Sequence, residues 1–168
     1  MGDCCSLTIS FPRNDLGRIN RILAKEWNTG IDDKWWDEER SDEDDPVMQV
    51  DIYEANYAMY STCEALATAG MTFIVEHDSG GDYGPGSYVC LHGEEFIVVD
   101  ASHNGLPVVT CGPDGPDPDA LEYIKKYWRT HGKIMDYFNS LPDPRKDAQG
   151  RRNNLKRMMS AALGMEQK

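Results

Sequence analysis

Residues 48–75 read MQVDIYEANYAMYSTCEALATAGMTFIV, and this stretch decides the fold class. Met48, Val50 and Ile52 alternate with Gln49, Asp51 and Tyr53, the period of two expected of a strand with one buried face. Met59, Cys63 and Leu66 then recur at helical spacing until Gly70 stops them, and a second strand carrying Phe73 and Val75 begins at about Met71. Strand, helix and strand within about 30 residues is the size of a right-handed crossover that pairs two parallel strands.

Downstream the texture changes. A glycine-rich turn from Asp78 to Ser87 leads to three short apolar runs, Tyr88–Leu91, Glu95–Val99 and Leu106–Thr110, joined by His92-Gly93 and Asn104-Gly105. Such spacing predicts an antiparallel meander. Upstream, Leu7, Ile9 and Phe11 predict another strand, closed by Pro12. Leu16, Ile19, Ile22 and Leu23 then predict a helix from about Asp15 to Trp27, capped by Asn14 or Asp15. Past Pro118, residues Leu121, Ile124, Trp128, Ile134, Met135 and Phe138 predict a long helix from about Asp119 to Asn139, interrupted near Gly132. A last helix, about 147–163, carries Leu155, Met158, Met159 and Leu163 on one side and four bases around it. The expected fold is α+β, a mixed sheet made of a βαβ unit and a meander and covered by helices. It occupies residues 1–141, with an acidic insert at 28–46, and a basic helix within 142–168 docks on the same domain.

Charge is segregated along the chain. Of the 168 residues, 1–40 hold six bases and eight acids, 41–124 hold 17 acids and no Lys or Arg, and 125–168 hold 11 bases and four acids, for a net −12. A field of that sign repels nucleic acid and attracts basic surfaces. No window approaches the roughly 18 apolar residues of a membrane span, and the N-terminus lacks a secretory pattern, so a cytoplasmic protein without membrane contact is the expectation. Met1-Gly2-Asp3-Cys4-Cys5-Ser6 fits a minimal acylation pattern, which gives a lipid anchor through Gly2, Cys4 and Cys5 as the alternative. Five cysteines without metal-ligand spacing read as reduced thiols, with Cys63 and Cys90 on inferred apolar faces.

Catalytic signatures are weak. The loop Ser79-Gly80-Gly81-Asp82-Tyr83-Gly84-Pro85-Gly86 follows a strand as a phosphate loop does, yet no helix or Lys follows it, and Asp78 and Asp82 would repel phosphate. His77, Asp78, Asp82, His92, Asp100 and His103 fall at strand ends or turns without the spacing of a closed metal site, so neither a metal nor a cofactor is expected. No nucleophile elbow occurs. A small enzyme or ligand-binding domain would have to use His77, Asp78, Tyr83 and His103 at the sheet edge.

The acidic insert is the stronger signal. Trp35, Trp36, Asp37, Glu38, Asp42, Glu43, Asp44 and Asp45 place aromatics among carboxylates, with Tyr53, Tyr57 and Tyr60 close in sequence. Aromatics supply buried area and acids match Lys and Arg, the combination that grips a basic groove and can imitate nucleic acid. The expected function is therefore non-enzymatic: an acidic inhibitor of a basic protein, most simply a nucleic-acid-handling enzyme of the kind that accompanies mobile elements. A homo-oligomer joining the acidic region to the basic last helix is a further alternative.

Overall fold

The structure, a computed structural model, describes residues 3–27, 35–92, 94–143 and 145. Along β1 (Cys4–Pro12), Cys5, Leu7, Ile9 and Phe11 are buried while Ser6 is exposed and Thr8 and Ser10 are half-buried, so the strand has one apolar and one polar face. It is joined by β2 (Glu38–Glu39), β3 (Val47–Asn56), β4 (Phe73–His77), β5 (Gly86–Cys90) and β6 (Ile97–Asp100) in one sheet of order β2-β3-β1-β4-β5-β6. Every neighbouring pair is antiparallel.

The fold is α+β, as the sequence predicts, but the crossover is threaded differently. β3 and β4 each pair antiparallel with β1 and so run parallel to each other, with β1 lying between them. Direct parallel pairing of β3 and β4 would leave β1 at an edge. Placing its alternating strand in the middle gives it two ladders and buries its apolar face.

Two helical layers close the sheet. On one face α1 (Leu16–Trp27) and α2 (Tyr60–Thr68) bring Ile19, Leu23, Cys63 and Leu66 onto Leu7, Ile9, Phe11, Val50, Phe73 and Val75. On the other face α3 (Pro118–Ser140) sets Tyr127, Ile134 and Phe138 on Ile74, Val89, Ile97 and Val99 of β4, β5 and β6. Each such side chain withdrawn from water contributes about 1.5–3 kcal/mol. Asp117 caps α3, its carboxylate accepting from Asp119 N at 2.9 Å, and Pro118 occupies the first turn.

Three expectations need correction. The helix is continuous through Gly132, and its buried stripe includes Tyr127 and Thr130, while Leu121, Trp128 and Met135 are exposed. The run Leu106–Thr110 is not a strand. Pro107 lacks a donor and makes only an isolated bridge to Ala101, and Leu106 and Val108 face solvent, so no apolar face holds them. A small hairpin of β7 (Cys111–Gly112) and β8 (Gly115–Pro116) follows. At the start of α1, Arg13–Asp15 form a 3-10 turn after Pro12, and no side chain caps it. The expected last helix, about 147–163, lies outside the described residues, as do 28–34 of the acidic insert.

α3 is pinned to the sheet by a buried hydroxyl pair. Ser87 Oγ donates to Val75 O at 2.7 Å, which uses its only proton, so the Tyr127 hydroxyl 2.9 Å away donates to Ser87. Replacing Ser87 with Ala leaves that hydroxyl without an acceptor and is expected to cost about 1–3 kcal/mol. In urea unfolding, S87A combined with Tyr127→Phe should be less destabilised than the sum of the two single changes.

Candidate functional site

The acidic insert, where described, is bound to the sheet edge. Glu38 stands opposite Asp51 and Glu39 opposite Val50, and the pairing is extended by Asp37 N to Asp51 O at 2.9 Å and Arg40 N to Gln49 O at 2.8 Å. A turn then closes through Asp45 N to Asp42 O at 2.9 Å and Asp42 N to the Asp45 carboxylate at 3.0 Å. Arg13 ties the turn to β1, donating at 2.7 Å to the Glu39 carboxylate and to the carbonyls of Asp42 and Asp45. Asp42, Glu43 and Asp44 remain exposed and Asp45 half-buried.

The tryptophans are placed differently from the carboxylates. Trp35 and Trp36 are half-buried against the main core and are not the exposed anchors expected of them. The Trp35 ring lies 6.0 Å from Phe11, its Nε1 donates to Asn20 Oδ1 at 2.6 Å, and Trp36 meets it edge-on at 5.2 Å. Large rings beside an apolar rim gain more by packing there than by facing water. The exposed aromatics of β3 and the turn after it are Tyr53 and Tyr57, 49% and 61% exposed, whereas Tyr60 lies on α2 with its ring against Tyr88 and Phe96. Tyr53 donates its hydroxyl to Glu38.

Tyr57 is held outward by an unusual backbone. Tyr57, Ala58 and Met59 have φ of 47°, 48° and 53°, three successive left-handed residues without a glycine. That conformation costs about 1–2 kcal/mol per residue. Burial of Ala58 and Met59 in the core, together with a 2.7 Å bond from Tyr57 N to Asp3 O, offsets it. No feature of residue type marks this turn in the sequence.

Of the 17 acids between 41 and 124, Asp51 is buried and Asp45 half-buried, and the other fifteen are exposed. The described bases of α3 neutralise only their surroundings: Lys126 pairs with Glu95, Lys133 with Glu94 at 2.7 Å, and Lys125 and Arg129 with Glu122 at 3.2 and 3.1 Å. Glu43, Asp44, Glu54, Asp78 and Asp82 have no ion pair among the described residues.

α3 leaves the polar face of β1 and β3 open, and a groove runs along it. Its floor holds the buried Asp51, which accepts from Thr8 Oγ1 at 2.7 Å and from Arg40 Nε at 2.5 Å, while the Arg40 side chain is 55% exposed. One compartment, about 360 Å³, is lined by Arg40, Asp51, His77, Asp78 and His103. The alternative site is thus partly assembled, without Tyr83. The Tyr83 ring instead packs on His77 at 5.7 Å, with its hydroxyl toward Asp3 O at 3.4 Å, and burial pushes that phenol's pKa up. His77 Nδ1 lies 2.9 Å from Asp78 O, and among the described residues neither His77 nor His103 bonds a hydroxyl or thiol that could serve as nucleophile. His92 bonds Gly70 O, a structural contact. No three His, Cys, Asp or Glu side chains converge on a cation position among the described residues.

The glycine-rich loop is the long β4–β5 connection, clamped by the Asp3 carboxylate, which accepts from Gly81 N and from Asp82 N at 2.7 Å. Burial pushes the Cys63 thiol up to about 12 and the Cys90 thiol up to about 11, which makes both poor nucleophiles at neutral pH. Cys5 is 5% exposed in the core and hence is not presented for acylation, whereas Cys4 is exposed; Gly2 lies outside the described residues. Among the described residues no helix is long and apolar enough to cross a membrane. Comparison with protein-family models, curated proteins and solved structures finds no significant match.

Two outcomes follow from this geometry. Trp35→Ala should destabilise the fold by about 3 kcal/mol, visible as a lower urea midpoint, because it empties a site packed on Phe11. Burial lowers the pKa of both His77, beside Tyr83 and Tyr88, and His131, beside Tyr127 and Trp128, while Asp78 and Asp100 oppose the shift at His77 and Glu76 opposes it at His131. The unfolded chain therefore takes up these protons first as pH falls below the ordinary value of 6.5, and stability present above it is lost. Thermal midpoints should drop from about pH 7 to about pH 5.5, and the H77Q/H131Q variant should flatten that slope.

Proposed function

We propose that this protein binds a basic protein, in the manner of an inhibitor that occupies the positively charged surface of a nucleic-acid-handling enzyme. The observation that carries the reading is the placement of the base-free stretch: fifteen of its 17 carboxylates are exposed on a folded scaffold, and the bases of α3 pair with only three of them. The face most suited to contact is the β2–β3 edge. Asp42–Asp45 stand at one end of it, Glu38 and Tyr53 in the middle, and Glu54 and Tyr57 at the other. With ten residues in β3, that edge is about 33 Å long at roughly 3.3 Å per residue.

The division of labour is physical. Carboxylates raise the encounter rate with a positive surface, an effect that shortens with the screening length of about 10 Å at 0.1 M salt. Tyrosines supply area that is desolvated on contact, a gain insensitive to salt. Tyr57 and Tyr53 replace the tryptophans in that role, since Trp35 and Trp36 are already engaged with the core.

The test measures binding to purified basic nucleic-acid-binding enzymes, and inhibition of their activity, across a salt series. Changing Asp42, Asp44 and Asp45 to Asn and Glu43 to Gln should slow association at low salt, with the difference vanishing at high salt. Tyr57→Ala should weaken binding at every salt, by about 2 kcal/mol. If no basic enzyme is bound by the folded wild-type protein, or if both variants bind as the wild type does, the reading fails.

A further inference from the structure

The groove on the open sheet face widens past Arg40 and Glu76, which line both its parts, into a second compartment of about 660 Å³ beside α3. Strand register decides what reaches into it. Ser10 stands opposite Gln49 on β3, and Glu76 of β4 stands opposite Thr8, two positions along β1 on the same face. Ser10 and Gln49 are half-buried there and Glu76 is exposed. Among the described residues no hydrogen bond or ion pair occupies the Ser10 hydroxyl, the Gln49 side-chain amide or the Glu76 carboxylate. Thr8 and Ser87 flank Glu76 across the strands, but their hydroxyl protons go to Asp51 and to Val75 O, so neither donates to it. The cations of the lining are also paired: Arg40 with Asp51 at 2.5 Å, and Arg145 with Asp45 at 2.7 Å and Asp143 at 3.2 Å. Glu76 is thus the one carboxylate of this lining without a counter-ion among the described residues.

Acceptors without donors define the chemistry of an occupant. A guanidinium carries N–H donors in a planar fork, sets two of them on a carboxylate and keeps others for a hydroxyl and an amide oxygen, whereas an ammonium donates from a single point. Met135 on α3, 41% exposed, offers apolar cover for an alkyl stem. We infer that this compartment receives one arginine side chain of the basic partner, its guanidinium on Glu76 and its remaining N–H groups toward Ser10 Oγ and Gln49 Oε1. The inference rests on the binding function proposed above and continues the same surface, because Gln49 belongs to β3 and Asp45 to the turn at the end of the β2–β3 edge, and both line the compartment. The edge carboxylates act on any cation at long range, and the compartment selects arginine over lysine on contact.

A probe without any partner enzyme tests it. N-acetylarginine amide is titrated into the full chain labelled at its methionine methyls, with the Met135 resonance assigned through Met135→Leu. That resonance should shift and saturate, the lysine analogue should bind more weakly, and the uncharged citrulline analogue should leave it unmoved. Glu76→Gln should weaken the arginine amide about tenfold, because a charge-assisted pair is lost. Glu64→Gln, which removes an equal charge from α2 across the sheet, should leave its affinity unchanged. Both side chains are exposed, and thermal unfolding checks that both variants keep the fold. The inference is overturned by a shift that does not saturate, by a citrulline analogue that moves Met135 as far, by a lysine analogue that binds as tightly, or by equal affinities of the two variants. Because no enzyme is present, failure here leaves the reading of the β2–β3 edge standing, and failure of every basic enzyme to bind leaves this result unchanged.

Discussion

Everything in this molecule hangs on the register of one strand. β1 sits between β3 and β4, and its alternation sends Leu7, Ile9 and Phe11 into the α1–α2 core while Thr8 and Ser10 face the other way. A slip of one residue would exchange those sets and put hydroxyls into the core. The same alternation in β3 delivers Asp51 to the open face directly across from Thr8, so the bond between them and the hold of Asp51 on Arg40 are products of pairing. Core and groove are two sides of one decision.

Electrostatics follows from where the helices lie. α3 covers β4 to β6 and folds its basic side against Glu94 and Glu95, so its own lysines do little for the distant β2–β3 edge. There the only cations among the described residues are Arg13, Arg40 and Arg145, and each is committed to carboxylates or carbonyls. Among the described residues the edge therefore keeps its negative sign.

How much of this was legible in the sequence depends on whether local pattern settled it. β3, α2 and β4 stand where the alternation of Met48 to Ile52 and the stop at Gly70 place them, because those signals are properties of neighbouring residues. The insertion of β1 between β3 and β4 was not legible, since strand order is a long-range choice among equally alternating partners. Leu106–Thr110 misled because composition resembles a strand while Pro107 denies it a ladder. At the candidate site the carboxylates were legible as exposed and the tryptophans were not: an aromatic beside acids has the same local pattern whether it waits for a partner or leans on Phe11. The outward tyrosine on a left-handed turn had no signal at all, because its backbone is imposed by the burial of Ala58 and Met59.

The two-residue length of β2 carries a consequence for how any neighbour can be recognised. A long bare strand at a sheet edge offers a row of amide donors and acceptors to any extended chain, including another copy of itself. Here the edge of β3 is capped by Glu38 and Glu39 and then by a turn whose amides are already taken by Asp42 and Asp45. An arriving chain finds a two-residue strand and a fence of like charges. Discrimination on this side thus falls largely to side-chain shape and charge, and the short strand and its carboxylates disfavour strand-to-strand growth through this edge.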